Sequence, residues 1–381
     1  MRIAIYQRSF PMRGGVERVL DSLVAILRRD HEVAIFTLEY TGLGLPDLDS
    51  VTKYQMPASG SLLAHFGRYP ERTRLIRSVK ELKEWNADVV IINKNCGLAG
   101  WMSYELDVPL VAYIHDLWSL TQATMPRAGM TKRSAAIIRR MYRYRHFLDP
   151  DGLIHRGFGR TRLVVCPSNW LAGEVKAKFP GVNCTVIPHG VDHALFAPTW
   201  EDKGYALCAG RLHPEKNFEL AIGAAASAGF PMVICGSTGQ GGVHLQALKY
   251  IQKLRGIGGS QVRFELDIPD TAYVSLLQAC SVFLHPGRKE AFGLAPLEAM
   301  ACGKPVIALN DGGTPESVGS GGVLLGSDPK DWERELGRVM KSPTLRTELG
   351  KKSYEYSGQF TWERTAEELS SALASVLRAS G

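Results

Sequence analysis

The sequence predicts an α/β protein built from two domains, each with a parallel sheet. Short apolar and β-branched runs alternate with longer amphipathic segments along the whole chain, which is typical of strand–helix–strand units. The alternation begins again after Pro188–Gly204, a stretch marked by proline and glycine and without clear periodicity. The length of 381 residues is ordinary for two domains.

The predicted elements follow from these runs. In the first half, the predicted strands are Arg2–Tyr6, Val33–Thr37, Val89–Ile92, Leu110–Tyr113, Leu163–Cys166 and Thr185–Ile187. In the second half, they are Tyr205–Cys208, Met232–Cys235, Val262–Phe264, Val282–Leu284, Pro305–Ala308 and Val323–Leu325. Apolar residues at helical spacing predict helices at Glu17–Arg29, Thr73–Glu84, Glu219–Ala228, Asp270–Ala279, Ala295–Ala301 and Thr361–Leu377.

Composition excludes several classes of protein. Hydrophobic residues make up 45% and charged residues 22%, which excludes a disordered or low-complexity chain. The seven cysteines are widely spaced and form no C-x-x-C pair, a pattern that fits free thiols in a reducing cytoplasm. No apolar run reaches the roughly 18 residues that span a bilayer, and Gln7 and Arg8 interrupt the apolar start. We expect a cytoplasmic protein or a peripheral one on the inner face of the membrane.

Positive charge is concentrated in residues 127–162, where ten Lys or Arg residues stand against two Asp residues. Within Lys132–Leu148 one helical stripe is apolar and another is cationic. This segment can dock on an anionic membrane to reach a lipid-linked acceptor, or pack on its own domain with its arginines in solvent. Nucleic-acid binding is disfavoured because the aromatic residues lie within one helix and not on a stacking platform.

The segment Glu290–Glu298 follows a predicted strand and opens a helix. Gly293 and Leu294 would present free backbone N–H groups there, which suits a phosphate. Glu290 precedes the helix and Glu298 lies about one turn inside it, so the two carboxylates can accept hydrogen bonds from separate sets of ligand hydroxyls. The alternative is an acid that complements the helix dipole, followed by a surface acid.

Three further motifs follow predicted strands. Arg211 and Lys216 can clamp two phosphates, or belong to a solvated basic loop. Gly14-Gly15 allows close backbone approach to a ligand, or forms an ordinary turn. His115 comes directly after Leu110–Tyr113 and is either a catalytic group or a structural hydrogen-bonder.

Two other patterns do not carry the chemistry that they first suggest. The glycines of Gly236–Gly242 have G-x-x-G-x-G spacing, which differs from the dinucleotide fingerprint, so we predict a loop that faces a nucleotide. The Asp-x-Asp triplets Asp47–Asp49 and Asp149–Asp151 do not directly follow predicted strands, and no His/Cys cluster has ligand spacing. The sequence therefore predicts no metal site.

In order along the chain, these motifs resemble the retaining glycosyltransferases of family 4, whose GT-B fold consists of two facing Rossmann-like domains. The resemblance covers nearly the whole chain and is most specific over residues 160–320. It rests on the E-x7-E pair Glu290 and Glu298, on Gly210–Asn217, and on Pro188–Asp192, Ser168, Ala299–Val306 and Gly312–Glu316. It implies an acceptor-binding domain over 1–190, a nucleotide-sugar-binding domain over 191–381, and a last helix, 361–377, that packs back on the first domain.

The resemblance also implies roles for individual residues. Arg211 and Lys216 would hold the diphosphate of a nucleotide-sugar, Glu290 the transferred sugar, and His115 the sugar near its 6-position. Glu298 would bind the ribose hydroxyls. The rest of the donor site would be backbone: N–H groups of Gly15, Phe292, Gly293 and Leu294 at the phosphates, and the chain near Leu266–Ile268 at the base.

The family is generally metal-independent, so the resemblance implies no cofactor, a nucleotide-sugar donor and a carbohydrate or glycolipid acceptor. Family frequency favours UDP-sugars, with GDP-mannose next. Glu290 is not assigned as a nucleophile, because the resemblance implies a same-face displacement. Two segments depart from the family pattern: His285–Lys289 replaces a usual Pro-Ser, and Glu265–Asp267 lacks a usual glycine.

Two rival functions use the same residues. A nucleotide-sugar 2-epimerase of this fold would act on the donor alone, without an acceptor. A non-catalytic binding protein would keep its function when Glu290 and Lys216 are changed to alanine.

Overall fold

The structure is a computed structural model that describes residues 1–7, 9–10, 14–37, 39–40, 42, 44–55, 79–94, 106–117, 158–239 and 242–379. The described residues form two compact units. Residues up to Pro188 and from Trp362 onward form the first unit, and His189–Thr361 form the second. The predicted basic segment lies outside the described residues, except for 158–162.

The first unit contains a parallel sheet of seven strands. The strands in chain order are β1 Arg2–Tyr6, β2 Ser9–Phe10, β3 Glu32–Thr37, β4 Glu39–Tyr40, β5 Thr52–Gln55, β6 Val89–Asn93, β7 Leu110–Tyr113, β8 Leu163–Cys166 and β9 Cys184–Val186. The sheet order is β5-β3-β1-β6-β7-β8-β9, while β2 and β4 pair separately. Its central strands are buried along almost their whole length because helices cover both faces of such sheets.

The second unit contains a parallel sheet of six strands. They are β10 Ala206–Arg211, β11 Met232–Ser237, β12 Val262–Leu266, β13 Val282–His285, β14 Val306–Leu309 and β15 Val323–Leu325. The sheet order is β12-β11-β10-β13-β14-β15. Side chains alternate between two cores, with Leu207 in one and Cys208 in the other, as the two-residue strand period requires.

The helices lie between and after these strands. They are α1 Gly15–Leu27, α2 Pro46–Ser50, α3 Asn169–Lys178, α4 Phe218–Ala228, α5 Gly242–Gly258, α6 Asp270–Ala279, α7 Leu294–Ala301, α8 Thr314–Val318, α9 Pro329–Lys341, α10 Pro343–Ser357 and α11 Trp362–Arg378. The last helix packs within the first unit, where the hydroxyl of Thr365 donates to the carbonyl oxygen of Pro188 at 2.8 Å.

The predicted α/β class with two parallel sheets is confirmed, and all twelve predicted strands are present within a few residues of the predicted bounds. Sequence analysis missed the edge strand β5, because its residues Thr-Lys-Tyr-Gln are mostly polar and only half-buried. The helices α2, α3, α5, α8, α9 and α10 were not predicted either. Of the helix predicted at Thr73–Glu84, residues 79–84 are helical and the rest lies outside the described residues.

Each sheet has one point where the strand order reverses. In the first unit it lies between β1 and β6, and in the second between β10 and β13. Ligands of open α/β sheets bind beyond the carboxyl ends of the strands at such a point. Strand β10 pairs with β13 only at Ala206 and Leu207, whereas it follows β11 as far as Arg211. The pairing of β10 with β13 therefore ends before Arg211, at the carboxyl end of the strand.

Candidate functional site

The first part of the site is the turn that follows β10. Arg211 is exposed at the end of the strand, and no hydrogen-bond partner for its guanidinium occurs among the residues that the structure describes. The chain then forms a 3₁₀ turn, Pro214–Lys216. The aliphatic stem of Lys216 lies over Gly210, and the side-chain amide of Asn217 donates to the carbonyl oxygen of Pro286 at 3.3 Å. This turn is thereby tied to the loop that follows β13.

That connection brings together two residues that sequence analysis singled out separately. The ammonium group of Lys216 forms an ion pair with the Oε1 atom of Glu290. Both side chains are largely buried, with exposed fractions of 20% and 17%. Burial by itself raises the pKa of the Glu290 carboxyl, but the positive charge of Lys216 outweighs it and holds the pKa below its ordinary value of 4.5. The pair is therefore ionic at neutral pH.

The backbone of Glu290 is held by a neighbouring loop after β14. The N–H of Gly313 donates to the carbonyl oxygen of Glu290 at 2.7 Å. Gly312 has a φ of +66°, and a Cβ atom there would lie 2.6 Å from that same oxygen, so only glycine fits. The Gly312–Glu316 motif thus positions the backbone of Glu290.

His285 lies behind the ion pair and was not recognised as a site residue. Its side chain is buried, with Nε2 at 3.9 Å from Oε1 of Glu290. Burial lowers the pKa of His285 to about 4, against a smaller opposing effect of Glu290. Gly287 allows this packing, since a Cβ atom there would lie 2.7 Å from the Glu290 carboxylate. The loop that replaces the usual Pro-Ser therefore has a glycine, Gly287, where the Glu290 carboxylate packs against the chain.

The start of α7 lies next to Glu290. Gly293 caps the helix with a φ of +100°, and the hydroxyl of Ser317 donates to the carbonyl oxygen of Phe292 at 2.6 Å. The side chain of Phe292 is buried against His189 and Phe360. Phe292 can thus contribute only backbone to a ligand. The N–H groups of Gly293 and Leu294 belong to the first turn, which has no intrahelical acceptors.

Glu298 projects from the second turn of α7 and is not a surface acid. It is 7% exposed, and the hydroxyl of Tyr273 donates to its Oε2 atom at 2.7 Å. Tyr273 lies in α6 and was missed by sequence analysis. Its only sequence signal was a tyrosine on the buried face of a predicted helix, which is ordinary for a core residue.

The loop predicted to face the base is cross-linked to the loop after β11. The N–H of Asp267 donates to the carbonyl oxygen of Gly236 at 3.0 Å, and the N–H of Thr238 donates to Oδ1 of Asp267 at 2.9 Å. Asp267 has a φ of 50°, a conformation that aspartate tolerates better than most residues. Asp267 therefore replaces the expected glycine without losing the turn, and Ile268 packs half-buried beside it.

In the first unit, His115 and Gly15 are connected by buried polar side chains. Nε2 of His115 lies 2.7 Å from Oδ1 of Asn93, at the end of β6. The amide of Asn93 donates to Gln7, which follows β1, at 2.6 Å, and the amide of Gln7 donates to Glu17 at 3.1 Å. Gly15 begins α1, two residues before Glu17. Sequence analysis identified His115 and Gly15 but missed the three residues that join them.

The electrostatic state of His115 differs from that of the Lys216–Glu290 pair. Burial, together with the nearby charge of Lys94, lowers the pKa of His115 to about 3. The imidazole is therefore neutral at physiological pH. No cluster of three or more potential metal-ligating side chains occurs within the described part of the chain, and none of its helices is long and apolar enough to cross a membrane.

Two family models together match most of the chain. The model described as Glycosyltransferase Family 4 matches residues 13–195, and the model described as Glycosyl transferases group 1 matches residues 194–356. Each covers the bulk of one of the two sheets.

Curated relatives are named D-inositol 3-phosphate glycosyltransferase. The one from Corynebacterium diphtheriae is 30% identical over 294 residues, which is 72% of this chain and 67% of the relative. The one from Streptosporangium roseum is 31% identical over 299 residues, 74% of this chain and 67% of the relative. A third, from Corynebacterium jeikeium, is 38% identical over only 34% of its own length. The aligned region thus spans from one third to two thirds of these relatives.

Solved structures share the fold over the whole chain. Anabaena HepE in complex with UDP and glucose superposes with a TM-score of 0.75 at 18% identity, covering 98% of this chain and 100% of that one. Sucrose-phosphate synthase from Thermosynechococcus elongatus superposes with a TM-score of 0.73 at 18% identity, covering 99% of each chain. With the family models and the relatives, these similarities show that the chain belongs to glycosyltransferase family 4 and has the GT-B fold.

Proposed function

We propose that the protein is a retaining glycosyltransferase that moves a hexose from a nucleotide-diphosphate sugar to an acceptor hydroxyl. The observation that carries the proposal is the buried Lys216–Glu290 ion pair beside the exposed Arg211 and the start of α7. A site for a sugar diphosphate requires cations and helix N–H groups for the phosphates and a carboxylate for the sugar hydroxyls. In this reading, residues 191–361 hold the donor and residues 1–190 receive the acceptor.

The first chemical task is to stabilise the departing diphosphate. Lys216 has three N–H donors and uses one for Glu290, so the others can meet phosphate oxygens. The guanidinium of Arg211 can form two parallel hydrogen bonds to the neighbouring phosphate. Charge on the diphosphate grows as the sugar–phosphate bond breaks, and prearranged cations therefore lower the barrier more than they stabilise the bound donor.

The second task is to hold the donor's hydroxyl groups. The Glu298 carboxylate accepts a hydrogen bond from Tyr273 and has further lone pairs that can accept from the ribose hydroxyls. Glu290 can accept from hydroxyls of the transferred sugar while Lys216 keeps it ionised. A carboxylate in an ion pair is a weak nucleophile, which supports a same-face displacement in which the acceptor hydroxyl passes its proton to the leaving phosphate.

Donor and metal requirements follow from the same arrangement. Arg211 and Lys216 can supply the positive charge that a divalent metal supplies elsewhere, so we propose a metal-independent reaction. The Anabaena HepE structure contains UDP and glucose, which makes UDP-glucose the first donor to test, followed by GDP-mannose. The names of the curated relatives make D-inositol 3-phosphate the first acceptor to test. A glycolipid is the second, because the basic segment 127–162 could reach an anionic membrane.

The test is a transfer assay with purified protein, using UDP-glucose, GDP-mannose and other sugar nucleotides with each acceptor, with and without EDTA. We expect one donor to give a product whose anomeric configuration, read by NMR, matches the donor. EDTA should leave the rate unchanged. Loss of activity with EDTA would refute metal independence, and a product with the inverted anomeric configuration would refute retention. Conversion of the sugar nucleotide without any acceptor would identify a 2-epimerase.

A separate binding test addresses the non-catalytic alternative. A non-catalytic binding protein would keep its function in the variants Glu290→Ala and Lys216→Ala, whereas the transferase should lose most of its turnover in both. Sedimentation with anionic vesicles tests whether the basic segment 127–162 binds a membrane. Replacement of Arg139, Arg140 and Arg143 by glutamate should reduce vesicle binding if the segment docks there.

A further inference from the structure

The buried hydrogen bonds of the first unit form one continuous chain with a defined direction. It runs from His115 through Asn93 and Gln7 to Glu17, with lengths of 2.7, 2.6 and 3.1 Å. All four side chains are at least nine-tenths buried, with exposed fractions of 7, 1, 4 and 5%. Buried polar groups of this kind are strongly constrained, since a reversed amide would place two donors or two acceptors against each other.

The carboxylate of Glu17 sets the direction because a carboxylate has only acceptors. Gln7 must therefore turn its NH₂ group towards Glu17 and its oxygen towards Asn93. Asn93 must then turn its NH₂ group towards Gln7 and its oxygen towards His115. The ring nitrogen that faces this oxygen, Nε2, must carry a hydrogen. At each hydrogen bond, the orientation of one side chain fixes the orientation of the next.

The backbone brings these residues together at the point where the strand order reverses. Gln7 directly follows β1 and Asn93 ends β6, and these strands are neighbours in the sheet. Asn93 is in turn in register with Tyr113 on β7, two residues before His115. Glu17 lies in the first turn of α1, and its Oε2 is so close to Gly14 that a Cβ atom there would lie 2.9 Å away. Glu17 thus contacts both the glycine turn and the polar chain.

We propose that Glu17 is a positioning residue that, through Gln7 and Asn93, holds His115 as the Nε2–H tautomer with the lone pair on Nδ1. The ring is neutral at working pH, so Nδ1 can accept a hydrogen bond but cannot donate one. Any group that faces Nδ1 must therefore be a hydrogen-bond donor, such as a hydroxyl, and not a phosphate oxygen. The application to a sugar hydroxyl rests on the proposed function, whereas the tautomer itself does not.

The test is a long-range ¹H–¹⁵N NMR spectrum of the full-length protein labelled at histidine nitrogens. The His115 signals are assigned by their loss in His115→Gln. We expect the wild-type ring to show a single neutral Nε2–H tautomer. In Glu17→Leu the chain loses its acceptor end, and signals of both tautomers should appear. In the swapped variant Gln7→Glu/Glu17→Gln the carboxylate still accepts from Asn93, so the single Nε2–H tautomer should return.

An Nδ1–H tautomer in the wild type, or an unchanged tautomer in Glu17→Leu, would overturn the proposal. Should Glu17→Leu not fold, Glu17→Gln takes its place, because its amide can turn either way and should admit a minor Nδ1–H signal. The spectra require no substrate, so they stand even if no sugar is transferred. Where transfer is measurable, Glu17→Leu should lower kcat about tenfold or more, with recovery in the swapped variant. Recovery of fold without recovery of kcat would contradict the catalytic consequence.

Discussion

The two units place polar groups at equivalent points of similar sheets, but the groups are charged in the second unit and mostly neutral in the first. At the reversal point of the second unit, a buried carboxylate and ammonium are both charged and an exposed guanidinium lies beside them. At that of the first unit, a neutral imidazole ends a chain of two amides that leads to the buried carboxylate of Glu17. The difference shows that the fold supplies a location, while the residues that end the strands decide which ligand groups can bind there.

The largest expected effect is the removal of charge from the second unit's site. Lys216→Met should lower kcat/KM by about 10²–10³, because the leaving diphosphate loses a fixed cation. Lys351→Met, an exposed lysine in α10, serves as the control and should leave the rate unchanged. A loss of less than about fivefold in Lys216→Met would show that Lys216 does not bind the phosphates.

The next effect comes from adding charge to the first unit's site. Asn93→Asp places a carboxylate against the imidazole, and this opposite charge should raise the pKa of His115 well above its value of about 3. NMR titration of the ring measures the change, and transfer activity should gain a new decline towards acid pH as the ring becomes protonated. A pKa that stays near 3 would mean that burial alone controls the ring.

A smaller effect is expected from one hydrogen bond to the predicted ribose-binding carboxylate. Tyr273→Phe removes the hydrogen bond from Tyr273 to Glu298, and we expect the KM for the sugar nucleotide to rise roughly tenfold with little change in kcat. Tyr205→Phe is the matched control, since the Tyr205 hydroxyl bonds to the carbonyl oxygen of Leu276 in the same helix. Equal effects of both variants on KM would indicate general destabilisation of α6.

The smallest effect concerns stability at acid pH. The pKa of Glu290 is lowered in the folded protein, so its ionised form adds stability above about 4.5 that is lost as the pH falls towards the folded value. Glu290→Gln lacks this contribution. The difference in free energy of unfolding between wild type and Glu290→Gln, measured with urea, should therefore shrink below pH 4.5. A difference that grows on acidification would contradict the ion pair.

Both sheets were largely predictable because strand formation depends on local sequence. Runs such as Val89–Ile92 and Val282–Leu284 are continuous apolar strands, the pattern of parallel sheets buried on both faces. The motif residues Arg211, Lys216, Glu290 and Glu298 were also identifiable, because each follows a strand or opens a helix at a recognisable spacing. Edge elements such as β5 were missed because solvent, and not the core, determines their composition.

The partners of the site residues were not predictable. Tyr273 is 25 residues from Glu298, and Gln7 is 86 residues from Asn93, so nothing in the local pattern connects them. The order of strands in the sheet decides which carboxyl ends are neighbours, and that order is a property of the packed chain.

By itself, the sequence determined the strand and helix periodicity, the two-sheet class and the types of charged group at the strand ends, since these are written in short stretches of residues. Only the tertiary structure decided that Lys216 meets Glu290, that Tyr273 holds Glu298, and that Glu17 acts on His115 through two amides. Such contacts join strands and helices that are far apart in the chain, and they exist only after the sheets have assembled.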